Sequence, residues 1–115
     1  QRLVRRLCPH CRAEAAMTDA RWEELGLGPA PKRRFRIWEP VGCGKCFGTG
    51  YRGRVGLYEV LVVDDALRDL IATGGSVLDI QRAARQAGVT SLREDGVGKV
   101  LEGTTSYLEL LRVIV

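Results

Sequence analysis

The sequences Cys8-Pro9-His10-Cys11 and Cys43-Gly44-Lys45-Cys46 contain all four cysteines of this 115-residue chain. Two residues between cysteines form a tight turn, or knuckle, in which both sulfurs face one ion. Two knuckles complete a tetrahedron of sulfurs about 2.3 Å from zinc. Four protein ligands leave no open coordination position for water, which makes such a site structural and not catalytic. We therefore predict one structural zinc ion with the ligands Cys8, Cys11, Cys43 and Cys46.

Other interpretations of the cysteines remain open at this point. A thioredoxin-like dithiol would need a βαβ pattern around one pair, and two disulfides would need an oxidising compartment. The 31 residues between Cys11 and Cys43 exceed the commonest spacing of zinc knuckles. His10, the only histidine, lies inside the first knuckle, and we expect it to be exposed or to contact a ligand residue and not the metal.

Charge divides the chain into two parts. Residues 1–54 carry 12 basic and 5 acidic side chains, whereas residues 55–115 carry 6 and 9. Arginine dominates the basic side chains, which favours bidentate contacts with carboxylate or phosphate over simple solubility. The sign change predicts two subdomains that meet near Arg54. The longest aliphatic run, residues 60–63, is too short to cross a bilayer, and residues 1–11 do not have the pattern expected of a signal peptide.

Between the knuckles, Thr18 or Asp19 caps a predicted short helix that ends at Gly26. A loop with the basic segment Lys32, Arg33 and Arg34 follows, and residues 35–38 alternate as a half-buried strand does. We expect a small core beneath the metal, and a nucleic-acid platform of Phe35 and Trp38 is the alternative. The predicted core residues are Trp22, Phe35, Ile37 and Trp38.

After the second knuckle, glycines turn the chain into a predicted strand over residues 54–63. Four helices are predicted beyond it. The first presents Leu67, Leu70 and Ile71 on one face. The other three begin at the capping-box pairs Ser76 with Asp79, Ser91 with Glu94, and Ser106 with Glu109. Their predicted inward residues are Val77, Ile80, Ala84, Ala87, Val97, Val100, Leu101, Leu110, Leu111 and Ile114.

The chain lacks recognisable catalytic machinery. A phosphate-binding Walker A loop has the pattern Gly-x4-Gly-Lys-Ser/Thr, but Gly44-Lys45 and Gly98-Lys99 lack both the earlier glycine and the following Ser or Thr. A single histidine and four committed cysteines exclude a serine–histidine–acid or cysteine–histidine nucleophile set. The sequence therefore predicts that this chain is not an enzyme by itself, and its start at Gln1 is interpreted as that of a fragment.

Several stretches carry a family resemblance when taken together. They are residues 1–11 (QRLVRRLCPHC), 41–59 (VGCGKCFGTGYRGRVGLYE), 91–96 (SLREDG), 99–100 and 103–106. In this order they resemble the C-terminal region of the ATPases of type II secretion and type IV pilus assembly, from the exit of the ATPase core through a zinc region to the last helices. Gly98 departs from the pattern, since a better helix former is expected there.

The resemblance implies a cytoplasmic homohexamer at the inner face of the bacterial inner membrane. ATP and magnesium would bind in a core upstream of Gln1, and the four cysteines would be the zinc ligands. The implied partners are neighbouring ATPase subunits and the platform proteins of secretion or pilus assembly, without nucleic acid and without a membrane span. Such a fragment would be a non-catalytic, zinc-stapled interaction module.

The predicted fold class is α+β, with a tetracysteine zinc-knuckle subdomain of short strands followed by a compact bundle of about four short helices. The predicted division is residues 1–7 as the end of the ATPase core, 8–60 as the zinc subdomain and 61–115 as the helical subdomain. Two functions from other classes remain as alternatives. One is a zinc-ribbon nucleic-acid binder, and the other is a chaperone-like zinc domain, because residues 43–50 match one Cys-x-x-Cys-x-Gly-x-Gly repeat.

Overall fold

The strands of the protein form two separate antiparallel pairs. The structure, a computed structural model, describes residues 1–114. Strand β1 (Arg2–Leu7) pairs with β4 (Tyr51–Leu57), and β2 (Ala13–Ala16) pairs with β3 (Arg36–Glu39). Val4 lies opposite Val55 in the first ladder, whose register shifts between Arg5 and Leu7. Val4 and Leu7 are both buried although they are three residues apart, because this irregularity interrupts the alternation of the strand.

Five helices complete the part of the chain that the structure describes. Two of the predicted caps are present as hydrogen bonds: Thr18 accepts from the backbone N–H of Arg21, and Ser76 and Asp79 form a reciprocal capping box. These bonds satisfy N–H groups that have no partner within the helix. The helices are α1 (Asp19–Glu24), α2 (Asp65–Ala72), α3 (Val77–Gln86), α4 (Leu92–Leu101) and α5 (Tyr107–Ile114). The predicted α+β class is confirmed, with four cysteines clustered among short strands.

The chain divides into two compact units. The first, which we call the clustered unit, contains Gln1–Tyr58 and Leu92–Val115; the second, the helical hairpin, is Glu59–Ser91. This grouping differs from the predicted 8–60 and 61–115 division, whose last residue, Val115, lies outside the described residues. Helices α4 and α5 pack with the strands, because α5 contacts β1 and β3 while α4 contacts β3 and β4.

The clustered unit has one hydrophobic core, to which strands and helices both contribute. Leu57 of β4 and Leu110 of α5 are completely buried and meet near Gly96. A Cβ at Gly96 would lie 2.3 Å from Leu110 Cδ1, so α4 approaches α5 as closely as it does only because this position has no side chain. The buried core residues are Val4, Met17, Leu25, Ile37, Leu57, Val97, Val100, Tyr107 and Leu110.

The predicted small core beneath the cysteines is thus only part of a larger one. Ile37 is completely buried, and Trp22 and Phe35 pack against the core from its edge. Trp38 instead lies beneath the Arg12 guanidinium, 4.9 Å from its carbon to the ring centre. The contribution of α4 and α5 was missed because packing between elements 50 or more residues apart leaves no periodic signal in either one.

The helical hairpin consists of α2 packed with α3. Leu67 is its one buried residue within 59–91, all of which the structure describes. Val77, predicted to point inward, is 72% exposed, and Ile71 is 49% exposed. The inward prediction was wrong for Val77 and also for Ala87, which is exposed, because two short helices cannot cover all of their apolar faces by packing on each other.

The strand predicted over residues 54–63 ends earlier than expected. β4 stops at Leu57, and residues 58–64 have no regular secondary structure although they include four consecutive aliphatic residues. Val60 and Val62 are 67% and 77% exposed. A strand needs a partner backbone for its N–H and C=O groups, and within residues 1–114 the ladder with β1 ends at Arg2 opposite Leu57.

Within residues 1–114, the helices are all too short or too polar to cross a membrane.

Candidate metal centre

The two strand pairs bring the cysteine knuckles together from opposite sides. β1 leads into Cys8 and β4 leads away from Cys46, and the backbone N–H of Cys8 donates to the carbonyl of Gly50 at 2.9 Å. On the other side, β2 follows Cys11 and β3 precedes Cys43. The long spacing between the knuckles is therefore filled by a β2–α1–β3 excursion whose two strands return the chain to its starting point.

Each knuckle is closed by local backbone hydrogen bonds. In the first, the N–H groups of Cys11 and Arg12 both donate to the Cys8 carbonyl. In the second, the chain makes a 3₁₀ turn, Gly44–Cys46, and then passes through Phe47 with φ of 55°. Gly50 has φ of 80°, and a Cβ there would lie 2.4 Å from Cβ of Pro40. Glycine is therefore required where the chain leaves the second knuckle.

The four sulfurs form a group of the size that a tetrahedral metal needs. The Sγ–Sγ distances are 3.8 Å for Cys8 and Cys43, 3.8 Å for Cys11 and Cys46, and 3.7 Å for Cys43 and Cys46. All four sulfurs lie within 4.8 Å of one another. A regular tetrahedron with zinc–sulfur bonds of about 2.3 Å has edges of about 3.8 Å. The donor set fits zinc in number, type and spacing.

The same sulfur–sulfur distances favour a metal site over the alternative of two disulfides. All four cysteines carry free thiols, and a disulfide would bring two sulfurs to about 2.05 Å. Each of the three close sulfur pairs is near the tetrahedral edge length, with no pair distinctly shorter than the others. One knuckle contributes a buried cysteine and a half-buried one, and so does the other.

Backbone N–H groups donate to two of the sulfurs. Cys46 Sγ accepts from the N–H groups of Cys43 and Gly50, both at 3.2 Å, and Cys11 Sγ accepts from Gly42 at 3.3 Å. Burial raises the pKa of Cys46, but these two N–H groups, together with hydrogen bonds from the thiols of Cys43 and Cys11, outweigh it and lower the pKa to about 6. The Gly42 N–H lowers the pKa of Cys11, whereas desolvation and the neighbouring thiols raise it further, to about 11.

His10 and the cations close to the knuckles in the sequence lie outside the sulfur cluster. His10 is exposed and does not belong to the sulfur cluster. Arg12 donates from Nη1 to the carbonyl of Gly103 at 2.7 Å, so it joins the first knuckle to the turn between α4 and α5. Arg6 and Lys45 are exposed. The arginines here connect the cluster to the helices and do not simply offset its charge.

The burial of the Glu109 carboxylate and its ion pairs were not predicted from the sequence. Glu109 accepts from the backbone N–H and Nε of Arg5 at 2.7 and 2.8 Å and from Nε of Arg112 at 2.8 Å, with its side chain only 1% exposed. Burial by itself raises the pKa of Glu109, but the hydrogen bonds from Arg112 and Arg5 outweigh it and lower the pKa to about 2. Glu109 therefore joins α5 to β1, the strand that leads into Cys8.

Polar side chains around Glu109 strengthen this junction. Thr105 Oγ1 donates to the Arg5 carbonyl at 2.8 Å, and the hydroxyls of Tyr51 and Ser106 lie 2.6 Å apart. Ser106 does cap α5 by accepting from the N–H of Glu109, but the carboxylate turns to Arg5. An acidic residue inside the apolar run of residues 107–111 was the available signal, and its interpretation as half of a capping box concealed it.

The basic segment lies beside α1. Lys32, Arg33 and Arg34 are exposed, and the Arg33 guanidinium carbon lies 5.5 Å from the centre of the Phe35 ring. Phe35 stacks on Trp22, with ring centres 6.0 Å apart. Trp38 is occupied by Arg12, so Phe35 and Trp38 do not form the joint stacking surface that the nucleic-acid alternative required.

Comparison with known proteins places the chain among secretion and pilus proteins. The profile of the family described as "Type II/IV secretion system protein" matches residues 1–112. Type II secretion system protein E of Aeromonas hydrophila is 46% identical over 113 residues, covering 98% of this chain and 22% of the relative. The type IV pilus assembly ATPase PilB of Thermus thermophilus is 44% identical over 111 residues, covering 96% of this chain and 12% of the relative.

The relatives come from both branches and are much longer than this chain. The type IV pilus assembly ATPase TfpB of Acinetobacter baylyi is 39% identical over 114 residues, or 99% of this chain and 20% of the relative. The chain thus spans between about one eighth and about one fifth of the length of these three relatives. The resemblance noted in the sequence is confirmed, and the chain belongs to the Type II/IV secretion system protein family.

Proposed function

We propose that this chain is a non-catalytic, zinc-stapled C-terminal module of an ATPase that powers type II secretion or type IV pilus assembly. The observation that carries the proposal is the tetrahedral spacing of the four sulfurs, in a chain whose family relatives include pilus assembly ATPases. Cys8, Cys11, Cys43 and Cys46 would hold the ion. Zinc would supply on the order of 10 kcal/mol of apparent folding free energy.

The positions of the two Gly-Lys pairs support a non-catalytic role. Gly44-Lys45 lies inside the second knuckle, and Gly98-Lys99 lies within α4, where Lys99 Nζ is 3.5 Å from Asp95. A phosphate-binding loop instead connects a strand to the N-terminus of a helix. ATP and magnesium would therefore bind in a core outside this chain, and the module would transmit the motion of that core.

In this proposal the module contacts neighbouring subunits of a homohexamer or the platform proteins at the inner face of the inner membrane. The basic segment supports this role, because exposed arginines favour contacts with carboxylates. The Arg5–Glu109–Arg112 ion pairs and the Arg12–Gly103 hydrogen bond tie the cluster to α4 and α5. A displacement of α5 would then reach the knuckles through a short series of polar contacts.

The test uses the full-length protein in its native secretion or pilus system. Reversing Lys32, Arg33 and Arg34 to Glu should weaken binding of the hexamer to its platform while zinc content and ATP hydrolysis are retained. The Arg52→Glu/Arg54→Glu variant is the control, because both residues are exposed on β4, away from the basic segment. Unchanged platform binding in the triple variant would remove the basic segment from the proposal.

A further inference from the structure

A concave pocket lies between α1 and the basic segment. Its volume is about 280 Å³, and its lining includes Met17, Trp22 and Phe35 together with all three cations of the basic segment. Small-molecule sites commonly have volumes of about 300–1,000 Å³. A space just below that range, with aromatic walls and a cationic rim, suits one or two inserted side chains better than a free cofactor.

The apolar part of the pocket is fixed by the fold. Phe35 and Trp22 stack with an interplanar angle of 15°, and both pack against the core of the clustered unit. The carbonyl of Phe35 accepts from the N–H of Met17 at 3.1 Å, which continues the β2–β3 ladder to the base of the loop. The pocket is therefore preorganised, and an occupant would not have to order its aromatic walls.

The cations at the rim have no carboxylate partner. Elsewhere in the clustered unit, Arg5, Arg21 and Arg36 each form an ion pair with a glutamate. Lys32 and Arg34, in contrast, form no hydrogen bond or ion pair with any residue in 1–114, and the described contact of Arg33 is with the Phe35 ring. Three adjacent cations beside a pocket with aromatic walls therefore offer charge that no ion pair within residues 1–114 uses.

From these features we propose that the pocket binds an acidic peptide segment in which carboxylates flank an aliphatic side chain. The proposal rests on the proposed function and specifies the chemistry of the platform partner. The aliphatic group would contact Met17, Trp22 and Phe35, and the carboxylates would pair with the basic segment.

Two features favour a peptide over a phosphate polymer or a membrane surface. Asp19 and Thr18 also line the pocket, so it contains acceptors for a peptide N–H as well as cations. A run of phosphates has no donor for the Asp19 carboxylate, whereas the backbone N–H groups of a peptide can donate to it. A second concavity of about 410 Å³ shares Arg34 and Phe35 with the pocket, which gives a peptide of several residues room to continue.

The test is a titration of the zinc-loaded protein with the peptide Ac-GDELDEG-NH2, followed by calorimetry and by NMR of the two indole N–H groups. The peptide should bind and shift the Trp22 signal, with the Trp38 signal as an internal reference. The amide analogue Ac-GNQLNQG-NH2 should bind about tenfold more weakly or not at all. Equal binding of the two peptides would contradict the proposal.

Variants distinguish binding in the pocket from a general effect of net charge. Arg33→Glu/Arg34→Glu should weaken peptide binding about tenfold, whereas Arg52→Glu/Arg54→Glu changes the net charge equally and should have less than about a twofold effect. Ala30→Trp fills the pocket from its lining and keeps every cation, so it should also abolish binding even if the double reversal does not fold. An equal loss of peptide affinity in the two double variants would contradict binding in this pocket.

Two further probes test whether the pocket binds a membrane or a nucleic acid instead of a peptide. Preferential binding to vesicles of phosphatidylcholine and phosphatidylglycerol, or to oligothymidylate, would overturn the proposal in favour of a membrane or a nucleic acid. Zinc content, measured on the same samples, reports on the proposed function separately. One zinc per chain without peptide binding would reject this pocket alone, whereas absence of zinc would reject the stapled module itself.

Discussion

The two units of the chain are stabilised in different ways. In the clustered unit, strands and helices from both ends of the sequence share nine buried core residues and a buried ion-paired carboxylate. The helical hairpin buries only Leu67 and depends on caps such as Asp64 and the Ser76–Asp79 box. The first unit is a small domain organised around a candidate metal site, whereas the second has mostly local interactions and exposed apolar faces.

The largest difference between the units should follow removal of the metal. Chelation, or Cys8→Ser, should cost on the order of 10 kcal/mol in the clustered unit, because the sulfurs hold the ends of both strand pairs. Helices α2 and α3 should keep their helical signal, since neither contributes a sulfur. Circular dichroism with residue-resolved NMR measures both effects. Simultaneous loss of all helices would show that the hairpin depends on the cluster.

Glu109→Gln should have the next largest effect, about 3 kcal/mol near neutral pH. The folded-state pKa is about 2 against an ordinary 4.5. This contribution is therefore fully present above pH 4.5 and is lost as the pH falls from 4.5 towards 2. Urea unfolding should give the same difference between wild type and variant at pH 7 and pH 5.5. Glu102→Gln, at an exposed position, is the control.

A pair of glycines in α4 tests how closely the helices of the clustered unit pack. Gly96→Ala should destabilise by about 2 kcal/mol, because the new Cβ would meet the side chains of Leu110 and Leu57. Gly98→Ala, two residues later, meets nothing within 4 Å and should stabilise by about 0.5–1 kcal/mol through helix propensity. Thermal unfolding measures both. The same sign for the two variants would contradict the described approach of α4 to α5.

A smaller destabilisation than that of Gly96→Ala should come from loss of a cap in the hairpin. Ser76→Ala removes the acceptor for the N–H of Asp79 and should cost about 1 kcal/mol. Thr18→Ala, at the equivalent cap of α1 in the clustered unit, is the matched change. Hydrogen exchange should accelerate only in α2 and α3 for the first variant. Uniform acceleration across both units in Ser76→Ala would mean that they unfold together.

Local patterns in the sequence predicted much of the candidate site and of the helices. The cysteine spacing indicated a four-sulfur cluster, and the caps at Thr18 and Ser76 located two helix starts, because each depends on residues within a few positions of one another. The metal itself stays a prediction.

What could not be predicted depends on contacts between distant segments. Glu109 reaches Arg5 across 104 residues, and the packing of α4 and α5 on the strands depends on the β1–β4 pairing. The aliphatic run of residues 60–63 was interpreted as strand because composition alone does not reveal whether a partner backbone is present. Long-range pairing decides such cases, and no local pattern encodes it.

The most direct test of the four-cysteine zinc site is the metal content of the purified chain, measured by native mass spectrometry together with elemental analysis. We predict one zinc per chain, lost in Cys8→Ser and Cys43→Ser alike, because both knuckles supply sulfurs to the tetrahedron. A folded chain without metal, with structure indifferent to a chelator, would contradict it. The four sulfurs would then be free thiols in a domain that needs no ion.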